Sequence, residues 1–217
     1  KKNPSSRIIK LYQKENYYAL IGGLAFIGIS FFISKPTANN DIYMQLLAVE
    51  GILTDFDFSG LGQHPIGISL IASLLKLYRF DPLIIFYYLQ PFLSAACFVL
   101  LYKILITVLP DKFSFFVAFN SMSSIILIKS MNQVTAEIIA LTIILVLIIF
   151  VWKRMILDQK TNLTSASIMI FISWVAIIFR NASIFVVLGV VFFLFLYKCY
   201  RKFDILLIGV LSIFPGL

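Results

Sequence analysis

Four carboxylates, Asp41, Glu50, Asp55 and Asp57, lie in one polar stretch between two strongly apolar runs, and a lone guanidinium, Arg180, interrupts a later pair of such runs. Acidic side chains gathered beside a membrane surface are the layout of a catalytic loop, because a carboxylate there can take or hold a proton for a polar group arriving from water. Arg180 sits between Phe179 and Asn181 with no loop to accommodate it. A guanidinium at headgroup level is suited to grip a phosphate, since its planar fork donates two parallel hydrogen bonds. Lys129 offers the same service as a point charge, and Glu137 is the first carboxylate of an apolar run that follows Thr135. Each has a plain alternative. Asp41 can be a solvated loop carboxylate, Glu137 a favourable charge at a helix N-terminus, Arg180 a snorkelling interfacial side chain and Lys129 a flanking lysine.

The elements that must position these groups follow from composition. With 61% apolar and 16% aromatic residues and a mean hydropathy of +0.99, a chain of 217 residues lacks the polar exterior that a water-soluble domain needs. Runs such as 18–34, 83–109, 135–152 and 165–179 approach the roughly 20 residues with which an α-helix crosses the hydrocarbon. Backbone groups in lipid must pair internally, and the strict alternation of a membrane β-barrel is missing. The expected fold is therefore all-α, a polytopic transmembrane helical bundle forming a single module over 1–217, the N-terminal part of a longer chain. Its first extracytoplasmic loop is expected at 35–64. There Asn40 caps a helix whose apolar Ile42, Tyr43, Leu46, Leu47 and Leu53 oppose Asp41 and Gln45, which predicts an amphipathic helix lying along the outer surface. The basic stretch before the first run reads as a short helix on the inner leaflet or as a plain tail.

The net charge of +8 marks topology and points to no nucleic acid, because the cations collect at span ends: Lys1, Lys2, Arg7, Lys10 and Lys14, then Lys153, Arg154 and Lys160, then Lys198, Arg201 and Lys202. Placed inside, they orient an integral membrane protein with a cytoplasmic N-terminus, and the Ile-, Phe-, Lys- and Asn-rich composition suits a bacterial cytoplasmic membrane. The first run lacks a cleavage site and reads as a retained span. Counting crossings from His64 fails by one, so either one of the short runs, 65–78 or 113–128, is re-entrant or one of the run boundaries is misplaced. Cys97 falls in an apolar run and Cys199 in a basic loop, so the two should not pair. His64 is the only histidine, which leaves a zinc site or a serine triad without partners; it shapes the entry to the second run. Phosphate-cradling glycine loops are missing, and the sequons at Asn162 and Asn181 are read as accidental.

The order of these features resembles the GT-C class of membrane glycosyltransferases, such as the protein O-mannosyltransferases and the lipid A aminoarabinose transferases. The resemblance is carried by Asp41-Ile42-Tyr43 in a long first outside loop, His64-Pro65-Ile66-Gly67-Ile68 opening the next run, Val134-Thr135-Ala136-Glu137 opening a later one and Ile178-Phe179-Arg180-Asn181-Ala182 between two others. It covers nearly the whole chain and departs from the usual family pattern at Ile42, at Pro65-Ile66 and at Gln90-Pro91. It implies inverting transfer of a sugar from a polyprenyl-phosphate carrier to a glycan, lipid or protein acceptor on the outer face. Asp41 would be the general base, Arg180 and Lys129 would bind the lipid phosphate, and Tyr43 and His64 would border the substrate. Asp41 and Glu137 would be candidates to hold a divalent cation, with Glu137 alternatively holding the acceptor as a substrate-binding residue. A transporter or flippase and a non-catalytic membrane scaffold are the alternatives from other classes.

Overall fold

A computed structural model of the chain describes residues 4–33, 40–57, 59–61, 65–124, 136–153, 163–196 and 208–212; the side chains of 4–16, 33, 40, 41, 61 and 195 lie outside that description. Among the described residues every regular element is helical. These are α1 (Pro4–Ile33), α2 (Asn40–Leu47), α3 (Val49–Asp55), a 3-10 turn (Ser59–Leu61), α4 (Gly67–Leu77), α5 (Pro82–Leu105), α6 (Asp111–Met122), α7 (Ala136–Phe150), α8 (Leu163–Phe179) and α9 (Ser183–Leu196). Two helices are long and apolar enough to cross a membrane, Pro82–Leu105 and Ala136–Lys153, the latter being α7 with a closing π turn.

Aromatic contacts fix how the helices run. Phe31 meets Tyr88 while Phe26 stacks on Phe98, so α5 runs antiparallel to α1. Tyr18 meets Phe115 and Phe26 meets Phe119, so α6 runs parallel to α1. The α1–α5 seam is close because Gly22 has no side chain: a Cβ there would stand 1.9 Å from Cε1 of Phe98, a ring that is fully buried and also stacked on Tyr102. Small buried residues serve the same close approach elsewhere, with Ser73 and Ser173 turning their hydroxyls back onto the carbonyls of Ser69 and Met169. Cys97 is buried and touches Thr142 Oγ1 at 3.1 Å, tying α5 to α7.

Three expectations are corrected. Residues 4–33 form one continuous helix, about 45 Å long at 1.5 Å per residue, so the basic tail is the first part of α1 and no separate surface helix. The predicted loop helix is broken at Ala48 into α2 and α3, and Phe56 closes α3 in the left-handed region at φ 51°. Gln45 is buried at 1% exposure, as is Ile42, whereas Tyr43, Met44 and Leu47 are exposed. The inward-packing face of α2 is thus 42 and 45, continued by Val49 of α3, and it lies against α4, where Ser69 Oγ donates to the Gln45 backbone carbonyl at 2.7 Å.

Helix α4 has 11 residues, about 16 Å of rise. Its start lies against α8, where a Cβ on Gly67 would be 2.9 Å from the Ile178 carbonyl oxygen. At its far end Lys76 Nζ reaches Glu50 Oε1 at 3.6 Å. With Ser69 near its start bonded to α2 and Lys76 near its end reaching α3, α4 lies along the two loop helices. Arg79, at φ 63°, then reverses the chain, and Asp81 caps α5 by accepting from the backbone N–H of Leu83 at 2.9 Å, with Pro82 at the first helical position.

Candidate functional site

One buried cluster draws together the segments that carry the singled-out polar residues: Ile42 and Val49 from α2 and α3, Ile68 and Ala72 from α4, Phe86 from α5, Ala136 and Ala140 from α7 and Phe179 from α8. Ile42 is the neighbour of Asp41, Ala136 of Glu137 and Phe179 of Arg180. The apolar contacts thereby bring the first turn of α2, the first turn of α7 and the α8–α9 turn to one end of the helix assembly, although these residues are far apart in sequence.

The direct polar contact at that end is between Arg180 and Glu137, whose carboxylate accepts a charge-assisted hydrogen bond from Nη1 of the guanidinium. Side-chain exposure is 44% for Arg180 and 31% for Glu137, so water screens the pair and its stabilisation is below about 1 kcal/mol. Its chemical effect is orientation. Arg180 has five N–H donors in a rigid fork, and engaging one edge through Nη1 leaves others for an incoming anion. The turn that holds Arg180 is set by backbone bonds: the Arg180 N–H donates to the Ala176 carbonyl, and the Arg180 carbonyl accepts from the Ser183 N–H at 2.9 Å.

Asp41 is the second residue of α2, and its side chain lies outside the described set. Tyr43 is exposed at 58%, on the open side of the same helix. Lys129, Asn132, Gln133 and His64 lie outside the described residues. Asp55 and Asp57 stay in the segment between α3 and α4, where Asp57 Oδ1 accepts from the Ser59 N–H at 2.8 Å and Oδ2 from the Ser59 hydroxyl at 2.9 Å. Those bonds hold its carboxyl below the ordinary aspartate range.

Two further buried polar residues lie on the same segments and escape a reading of the sequence. Gln45 Oε1 and Ser183 Oγ are buried without a hydrogen-bond partner among the described residues, although buried polar atoms are ordinarily paired. Gln45 lies one helical turn after Asp41, and Ser183 opens α9 just past Arg180. The i, i+4 spacing from Asp41 was the available signal for Gln45; Ser183 was visible only as part of a sequon.

For a cation, Glu137 is already the counter-ion of Arg180, and no three His, Cys, Asp or Glu side chains gather among the described residues. Comparison with protein-family models, curated proteins and solved structures finds no match for this chain.

Proposed function

We propose that the chain is a polytopic membrane module that transfers a sugar from a polyprenyl-phosphate carrier to an acceptor on the extracytoplasmic face, with inversion at the anomeric carbon. The observation that carries this reading is the convergence of the segments bearing Asp41, Glu137 and Arg180 at one end of an apolar helix assembly. It is supported by topology. With α4 staying on the outer side, α1, α6 and α8 run outward and α5, α7 and α9 inward, and the crossings that failed by one now close. The cations after α7 and α9 then fall on the inner side.

In the reaction, the acceptor hydroxyl attacks the anomeric carbon from the face opposite the phosphate. The carbon–oxygen bond to the phosphate breaks, and the lipid phosphate leaves with the electron pair. Asp41 takes the proton of the hydroxyl. Arg180, aimed by Glu137, stabilises the charge that builds on the leaving phosphate, with Lys129 as a second cation. Tyr43 and His64 border the acceptor. The carrier's hydrocarbon stays in the bilayer, which is why such chemistry is placed on membrane helices.

The deciding experiment measures outer-face transfer from a labelled polyprenyl-phosphate sugar in membranes containing the full chain. Asp41→Asn is expected to abolish transfer with expression unchanged. Retained transfer in that variant removes Asp41 from the mechanism, and no transfer by abundant, folded wild type across a panel of donors rejects the enzyme reading.

A further inference from the structure

The turn that joins α4 to α5 presents four exposed side chains in a row: Leu77, Tyr78, Arg79 and Phe80, with Tyr78 at 71% exposure. It closes α4 with Arg79 in the left-handed region at φ 63°. There the Phe80 N–H donates back to the Leu75 carbonyl and the Arg79 N–H to the Lys76 carbonyl, both at 2.9 Å. Glycine is the usual residue at this place, because any side chain is strained in that conformation. Here the place holds an arginine, and the charges around it are already committed. Lys76 is paired with Glu50, and Asp81 accepts from the first N–H groups of α5. The ion pairs among the described residues, Lys76–Glu50 and Arg180–Glu137, leave Arg79 without a counter-ion. The turn therefore carries one unused guanidinium between exposed apolar side chains.

What lies against this turn follows from the helix it starts. Helix α5 opens at Pro82 and has 24 residues, a rise of about 36 Å. That covers the roughly 30 Å of hydrocarbon with little to spare at either end. Its exposed face is apolar, made by Ile84, Ile85, Tyr88, Leu89 and Phe92, as a lipid-facing side requires. The residues just before Pro82 then fall at headgroup level. At that depth tyrosine is enriched, and a guanidinium finds phosphate groups whose geometry matches its two-donor fork.

We propose that the α4–α5 turn is a lipid-binding site in which Arg79 grips the phosphate of an anionic phospholipid. Leu77, Tyr78 and Phe80 sit among the headgroups, and the acyl chains lie along the exposed face of α5. In the topology given above this is the outer leaflet. The proposal rests on the membrane reading of the chain and is independent of sugar transfer.

The test uses the full chain in vesicles, with tryptophan introduced as Tyr78→Trp and its emission taken as the difference from wild type. Phosphatidylglycerol or phosphatidylcholine, brominated on the acyl chain near the headgroup, is added at equal mole fraction. The expected result is quenching with about a fivefold preference for the anionic lipid, the effect of one basic side chain near an anionic surface. Arg79→Gly added to Tyr78→Trp should remove the preference while leaving the quenching. It should not lower the melting temperature, because glycine suits the left-handed position better than arginine. Equal quenching by the two lipids would overturn the proposal, and so would a preference that survives Arg79→Gly. A Tyr88→Trp protein supplies the control within the span. Quenching there with none at position 78 overturns the proposal alone, whereas no quenching at either position rejects the membrane reading with it.

Discussion

Arg180 is held by a partner that comes from another helix, and its usefulness depends on the shape of its head more than on its charge. Lysine in its place keeps the charge but loses the fork that can hold Glu137 and an anion together. Arg180→Lys is therefore expected to lower transfer at least about tenfold, the scale of one oriented charged hydrogen bond. Its effect on the melting temperature should be small, because the Glu137 pair is half open to water. A kinetic comparison alongside a thermal melt checks both halves, and a large loss of stability would mean that the residue is structural. Asp57 makes a second prediction at this scale. Its carboxyl is held below the ordinary range by the Ser59 N–H and hydroxyl, so the folded turn favours the charged form. The turn's extra stability is then complete above the ordinary aspartate value of about 3.9 and is lost as pH falls through the lowered folded value. Amide exchange at Ser59 should accelerate below that point, and Ser59→Ala should move its onset upward.

Helix α4 and the α1–α5 seam depend on glycines at closest approach. Gly22→Ala would drive a methyl into the Phe98 ring, which is wedged between Phe26 and Tyr102, and overpacking of this kind costs about 1–3 kcal/mol. Gly67→Ala meets a backbone carbonyl that cannot rotate away, so α4 must shift off the end of α8 that leads into Arg180. The first variant should lose stability in a detergent melt with its activity per folded molecule intact; the second should lose activity as well. Equal activity per folded molecule in both would separate α4 from the site. These elements also mark what could be read from the sequence. Asp41, Glu137 and Arg180 stood out because charges beside apolar runs are conspicuous. That Glu137 and Arg180 meet was not visible, since the contact joins residues 43 apart and depends on the packing of Ala136 and Phe179. The burial of Gln45 was hidden for a different reason: a helical wheel assigns polar residues to water, and here the exposed side is Tyr43, Met44 and Leu47.

For the molecule as a whole, the placement of α4 decides the topology. A cysteine introduced at Tyr78, with Cys97 and Cys199 changed to serine, should react with a membrane-impermeant maleimide added to intact cells. Reaction only after permeabilisation would make 67–77 a crossing and reopen the count. The same topology gives the Arg180–Glu137 contact a role in how the protein is made. Under it the tight turn before α9 must carry a guanidinium across the hydrocarbon during synthesis, a passage that costs about 2.5–3.5 kcal/mol for an unaccompanied arginine at the helix centre. Glu137 leaves the ribosome 43 residues earlier, so the acid is in the bilayer when the base arrives. The cation can then be received by its own counter-ion, and α7 becomes a template on which the following hairpin is inserted.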